Sequence, residues 1–294
     1  MRSKDRKIDY SLKLCREILG LPAFHFGYFD REIRNGNGRE ANTKLNIEDL
    51  KNAQLKYTEK LLNYIPNYIP SKTMTILDVG CGTGISTEIL VLKGHNIECL
   101  SPDLYNQQII NEKFKGMIRF HLTQFENFKT DKKYDLILMS ESSQYVNRKM
   151  LFQKCREILN ENGYVLISDY FRNEATGYYR NCTVLSQFLE ESKNNNFKII
   201  KDEDITENVL PTLLIGEQCY RKFVVPITEA LVSLANDEIP KIAKIAKFFF
   251  RRKIKKIADN IYQKNPEKLN PEKFKQNLKY MIYLFQKECV AIVE

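Results

Sequence analysis

Three glycines at alternate positions, Gly80, Gly82 and Gly84, lie between the apolar run Met74 to Val79 and a helical pattern opening at Ile85. A strand that runs into glycines and then a helix lets the backbone turn tightly and approach a ligand closely. The spacing is G-x-G-x-G. It departs from the dinucleotide fingerprint G-x-G-x-x-G, because Ile85, Ser86 and Thr87 follow, and no G-K-[ST] marks a phosphate loop. Asp78, two residues ahead of the first glycine, would repel a phosphate and suits a cationic ligand end.

The elements around the loop must hold it. A helical pattern over 45–64 precedes two prolines in YIPNYIPSK. Strands are expected at Met74 to Val79, Asn96 to Leu100, Met117 to Leu122, KYDLILMS (133–140), YVLISDYF (164–171) and Phe197 to Lys201. Helices fall between them at Ile85 to Lys93, Leu104 to Phe114 and RKMLFQKCREILNENG (148–163), the last closed by Gly163. Strands alternating with helices at this spacing imply a mainly parallel sheet. YMIYLFQKECVAIVE (280–294) reads as a seventh strand, which makes the mostly helical stretch before it an insertion over the ligand-binding ends of the strands.

The string ILDVGCGTG (76–84) resembles the first motif of class I S-adenosylmethionine-dependent methyltransferases, in particular the cyclopropane-synthase-like and tocopherol-type enzymes on small molecules. Further segments carry the likeness: Leu100-Ser101-Pro102 at the end of the second strand; TQFENF (123–128); DLILMSESSQYV (135–146); and, ahead of the loop, HFGYFD (25–30) and IEDLKNAQLKY (47–57). It spans residues 22–204 and the last strand, and leaves the insertion unmatched. It implies a Rossmann-like seven-stranded, mainly parallel sheet with helices on both faces and a helical cap inserted between the last two strands. The expected division is a lid segment at 1–65, a cofactor-binding α/β core at 66–204, a cap at 205–275 and the final strand at 276–294.

The resemblance also assigns S-adenosyl-L-methionine as cofactor. Asp78, Gly80, Cys81, Gly82 and Gly84 would wrap its methionine part, with Ser140 at the fourth strand. Cys99 and Ser101 stand where the ribose hydroxyls are approached, Cys99 replacing the acidic residue of many members. Gln124, Phe125 and Glu126 would meet the adenine, or Phe125 is ordinary core. Near the methyl group the candidates are Tyr28, His25, Glu141 and Tyr145, with Asp169 and Tyr170 after the fifth strand. Glu141 orients or deprotonates an acceptor, or only holds cofactor or backbone; His25 is a base or a hydrogen-bonded lid residue. Gln144-Tyr145 stands where cyclopropane synthases have Glu-His, which argues against cyclopropanation.

Composition narrows the rest. Seven cysteines without a C-x-x-C pair and three histidines without ligand spacing suggest neither disulfides nor a metal site. No run approaches the ~18 apolar residues of a membrane span, and the first twenty residues lack a signal-peptide core, so a cytoplasmic address is expected. The net charge of +9 favours an anionic partner or reflects lysine-rich composition. Part of it sits in IPKIAKIAKFFFRRKIKKIA (239–258), where lysines and arginines interleave with isoleucines and phenylalanines. Such a stretch is a peripheral anchor on an anionic inner membrane face, a dock for an acidic carrier, or a lid helix with a solvated outer side. No RNA-binding signature or N-P-P-Y-like tetrapeptide is present, so nucleic acid is disfavoured. The function expected is methylation of a small apolar or lipid-like acceptor on carbon or nitrogen. A catalytically silent cofactor-binding scaffold is the alternative, and RNA methylation a lesser one.

Overall fold

The computed structural model describes residue 8 and residues 10–30, 45–173, 179–180, 182–241 and 251–289. Its frame is a seven-stranded sheet: β1 Thr75–Val79, β2 Asn96–Ser101, β3 Arg119–Leu122, β4 Tyr134–Ser140, β5 Leu159–Arg172, β6 Phe197–Asp204 and β7 Leu278–Lys287. The strand order is β3-β2-β1-β4-β5-β7-β6. β1 to β5 pair in parallel, and β7 runs antiparallel to both neighbours. The order reverses between β1 and β4, which opens a crevice at the carboxyl ends of those strands.

Both faces of the sheet are covered because its central strands are apolar on both sides. Ile76, Leu136, Leu138 and Tyr280 face a core shared with Tyr57, Leu61 and Leu90, while Leu77, Ile137, Val165 and Phe285 face Phe152 and Phe188. The first core is closed by α2 Ile47–Leu62, α3 Tyr64–Tyr68 and α4 Ile85–Leu92 together with later helices; the second is closed by α6 Arg148–Ile158 and α7 Leu185–Asn194, and Leu12 of α1 Tyr10–Glu17 packs with Tyr105 and Ile109 of α5 Leu104–Phe114 in a cluster of their own. α2 starts where Asn46 caps it: Asn46 Oδ1 accepts from the Glu48 amide at 2.7 Å, and Asp49 Oδ2 accepts from the Asn46 amide at 2.8 Å. Its buried side carries Leu50, Gln54, Tyr57 and Leu61.

Between β6 and β7 lie α8 Thr206–Cys219, a π-helical turn Tyr220–Val224, α9 Val225–Glu238, the helix Arg251–Asp259, a second π-helical turn Asn260–Lys264 and the short helices Asn265–Lys268 and Pro271–Asn277. The insertion is therefore helical at both ends, although residues 242–250, with Lys244, Lys247, Phe248 and Phe249, and the terminal residues 290–294 lie outside the described residues.

One boundary departs from expectation. α6 stops at Ile158, and Gly163 is not its cap: Leu159 already pairs with Tyr134, and the register then shifts so that Leu136 meets Tyr164. Asn162, at φ 58°, makes the left-handed turn that the extra residues require. A Cβ on Gly163 would lie 2.9 Å from the Asn160 carbonyl oxygen, so that glycine serves the folded-over start of β5.

Gly84 precedes α4 at φ 71°, and a Cβ there would lie 2.4 Å from Ile110 Cδ1 on α5. Gly84→Ala combines backbone strain with overpacking. Urea unfolding should show a loss of about 1–3 kcal/mol.

Candidate active site

The crevice is a cavity of about 860 Å³. On one side Asp78, Gly80, Cys81 and Gly82 line it. Gly80 (φ 75°) donates its amide to the Leu100 carbonyl at 2.7 Å, and a Cβ on it would strike Ser142 Cβ at 2.4 Å. Ser142 Oγ in turn donates to the Val79 carbonyl at 2.6 Å, which locks the loop against the end of β4. Gly82 (φ 53°) has only the Gly80 carbonyl, 4.0 Å away, near its missing Cβ, so its backbone stays open to a ligand. Asp78 is buried with Oδ2 accepting from the Thr87 hydroxyl at 2.7 Å, and burial pushes its carboxyl up to about 6.

At the end of β2 the cavity meets Ser101, Pro102, Asp103 and Asn106. Asp103 caps α5, its Oδ1 accepting from the Tyr105 and Asn106 amides at 2.6 and 3.0 Å. Cys99 is not at the cavity. It shares a strand face with Ser101 but lies one residue pair back from the strand end, in a buried cluster with Cys81, Ile110 and Phe114, its Sγ 3.3 Å from Thr87 Oγ1. Gln124, Phe125 and Glu126 do line the cavity; Phe125 is also core, and Glu126 Oε1 accepts from the Asn147 amide at 2.6 Å.

Much of the remaining lining is apolar: Leu21, Phe24 and Phe26 from the segment ahead of α2, Leu50 from α2, Leu213 from α8, and Leu269. One carboxyl stands in it. Glu141 follows β4 with φ 51°, a strained position for a residue with a side chain. Its Oε1 accepts from the Phe26 amide at 2.7 Å and from the Tyr280 hydroxyl at 2.5 Å, and the Tyr280 oxygen lies 3.1 Å from the Tyr57 hydroxyl. Burial pushes the Glu141 carboxyl up to about 8, and Tyr57 and Tyr280 are likewise raised by burial. Ser140 joins the same group, its Oγ 3.2 Å from the Tyr57 hydroxyl.

Other candidates sit apart from this point. The His25 ring lines the cavity but uses both nitrogens: Nδ1 donates to the Phe26 carbonyl at 2.7 Å, and Nε2 lies 3.2 Å from Thr58 Oγ1. Burial lowers it to about 4, so it is neutral. Tyr28 is turned away from the cavity beneath the Lys60 ammonium, 4.9 Å from its ring centre. Tyr145 stands at the rim, 79% exposed. Asp169 and Gln144 pair with each other: the Asp169 carboxylate accepts from the Ser143 hydroxyl, the Gln144 amide and side chain, and the Tyr170 amide, pinning the turn after β4. Gln54, Asn106, Tyr57 and Tyr280 were not singled out by motif reading. Gln54 Nε2 donates to the Ala23 and His25 carbonyls, but Gln54 Oε1 and Asn106 Oδ1 are buried at the cavity without a hydrogen-bond partner. Gln54 and Tyr57 both lie inside IEDLKNAQLKY (47–57). Tyr280 lies some 140 residues from Glu141, where sequence carries no signal of contact.

A family model described as "Methyltransferase domain" matches residues 50–196, half of the chain. The chain belongs to this methyltransferase domain family. A curated malonyl-[acyl-carrier protein] O-methyltransferase of Ilyobacter polytropus is 29% identical over 128 residues, 42% of this chain and 49% of that protein, so the chain spans about half that relative's length. Among solved structures, the geranyl diphosphate C-methyltransferase of Streptomyces coelicolor, in complex with S-adenosyl-L-homocysteine, superposes with a TM-score of 0.63 at 15% identity, covering 94% of this chain and 91% of that one. A cyclopropane synthase of Mycobacterium tuberculosis gives 0.60 at 13%, covering 95% and 94%. These two likenesses show the fold, which is that of the class I methyltransferases. The family match and the neighbour solved with S-adenosyl-L-homocysteine point to S-adenosyl-L-methionine as the cofactor. Among the described residues no group of His, Cys, Asp and Glu could hold a metal, and no helix is long and apolar enough to cross a membrane.

The carboxyl groups give the methyltransferase a definite pH response. Glu141, raised from about 4.5 to about 8, binds its proton more tightly folded than unfolded, so its contribution is complete below pH 4.5 and lost as pH rises through 8. Asp78 and Asp169, raised to about 6, act in the same sense over a lower window. His25, lowered from 6.5 to about 4, acts oppositely, losing stability as pH falls through that range. Above pH 6.5 Glu141 dominates. Ligand-free stability should fall by about 1.4 kcal/mol per pH unit between 6.5 and 8, and Glu141→Gln should flatten that segment in chemical unfolding curves.

Proposed function

We propose that this chain transfers the methyl group of S-adenosyl-L-methionine to a small apolar or lipid-like acceptor, on carbon or nitrogen. The observation that carries the reading is a single cavity in which a glycine loop with a buried carboxyl faces an apolar wall containing one further carboxyl, Glu141. The residues fit the cofactor. Asp78 and the orphan Gln54 Oε1 can receive its ammonium, the open backbone at Gly82 its carboxylate end, Ser101 and the orphan Asn106 Oδ1 its ribose, and Phe125 a face of its adenine. Bound there, the cofactor supplies an electrophilic methyl on a sulfonium.

The chain's own work is placement. Displacement at a sulfonium needs the acceptor held within ~3 Å on the line of the breaking bond and water kept out. The lid residues Phe24 and Phe26, with Leu213 and Leu269, make a wall that excludes water and favours hydrocarbon. Glu141 is held by Phe26 and Tyr280 where the strand end meets that wall; it keeps its proton at neutral pH in the ligand-free chain, and a cationic ligand beside it would favour the carboxylate, the form that takes a proton from an acceptor. The similarity to a malonyl-[acyl-carrier protein] O-methyltransferase and to a geranyl diphosphate C-methyltransferase supports an acceptor with a carbon chain, and the first adds oxygen to the candidate methylated atoms. We assign residues 1–65 to the lid, 66–204 to the cofactor core, 205–275 to the cap and 276–294 to the closing strand.

Calorimetric titration with S-adenosylhomocysteine should show binding that Asp78→Asn and Gln54→Ala each weaken by about tenfold, the loss of one charge-assisted hydrogen bond. Absence of binding to folded wild type would remove the proposal. With labelled cofactor and a metabolite extract, Glu141→Gln should cut turnover by about 10²-fold while leaving cofactor affinity within a few-fold. Binding without any turnover would instead favour the silent scaffold.

A further inference from the structure

We propose that the helical insertion docks this protein on an anionic lipid surface. Residues 220–258 hold ten lysines and arginines against three acids, so seven of the chain's nine net positive charges fall in this segment and the rest of the chain carries a net of two. Charge set by composition alone would be spread evenly. Within the described part, Arg251, Arg252, Lys253, Lys255 and Lys256 are all exposed on the helix Arg251–Asp259.

The apolar half of the surface lies on α9, which buries no residue. Ile227, Leu231 and Leu234 are 57, 60 and 56% exposed, and their spacing of four and three places them in one stripe. Phe223 and Val224 are exposed just ahead of it. Exposed large apolar side chains and a dense basic run carried by one insertion match the boundary between anionic head groups and acyl chains. The two arms share a base, where the Tyr220 hydroxyl donates to the Ile261 carbonyl at 2.8 Å and accepts from Asn265 Nδ2 at 3.4 Å. The same surface is continuous with the cavity, because α8, which lines it through Thr212, Leu213 and Gly216, runs through Tyr220–Val224 into α9. Docking goes beyond the proposed reaction and is read without turnover, so either can fail while the other stands.

The test is sedimentation of the full chain with vesicles of phosphatidylcholine alone and of phosphatidylcholine with phosphatidylglycerol. Three proteins are compared: wild type, Lys253→Glu/Lys255→Glu/Lys256→Glu and Leu231→Asp/Leu234→Asp. Thermal melts and cofactor titration check that each variant is folded. Wild type should partition onto the anionic vesicles at least about tenfold more strongly than onto neutral ones, and each variant should lose at least about tenfold. Equal partition onto both vesicles, or none onto the anionic ones, would overturn the proposal. So would wild-type-like binding by the leucine variant, which would leave an electrostatic patch for an acidic carrier. A wild-type dimer in gel filtration that the leucine variant dissolves, with no vesicle binding, would make a second copy of this chain the occupant and overturn it as well.

Discussion

A carboxyl group taken out of water has to be satisfied from its surroundings, and at Glu141 the surroundings come from distant parts of the chain. The segment ahead of α2 supplies the Phe26 amide, the last strand supplies the Tyr280 hydroxyl, and α2 supplies Tyr57 behind it. A buried carboxyl left without hydrogen-bond partners costs about 1–3 kcal/mol, so the closing of these elements is coupled. The arrangement also explains a backbone that would otherwise be disfavoured. The left-handed turn at Glu141 is held by its amide on the Ser168 carbonyl, and that turn carries the carboxyl from the end of β4 into the wall.

The glycine loop is coupled to the same point through Ser142. Its Cβ occupies the space a side chain at position 80 would need, and its hydroxyl meets the carbonyl that ends β1. Thr83 ties the loop to the lid, donating to the Pro22 carbonyl at 2.5 Å. The glycine loop and the apolar wall of the cavity are thus joined to one turn after β4. Movement of the lid would reach both, because Phe26 binds Glu141 while Pro22 binds the loop.

Departures from the family pattern acquire physical reasons in this frame. Cys99, at the position that is acidic in many members, points into a sulfur-lined cluster, and Ser101 and Asn106 face the cavity instead. Gln144, standing where cyclopropane synthases carry glutamate, turns back to Asp169 and stiffens the strand-four turn. That leaves Glu141 as the carboxyl presented to the cavity's apolar wall.

The sequence by itself determined the α/β alternation, the loop and its ligand class, because these are local: apolar runs, glycines and Asp78 act over a few residues. Helix and strand positions from Thr75 to Phe114 follow directly from that pattern. The end of α6 did not, since pairing between Leu159 and Tyr134 overrode a glycine that reads as a helix stop. Which aromatic or histidine reaches the cavity was decided only by tertiary structure. Tyr28 and Tyr280 are both tyrosines in apolar surroundings, and only the antiparallel pairing of β7 with β5 brings the second to Glu141. The same limit applies to Gln54, whose orphan oxygen matters through what it faces and not through any spacing along the chain.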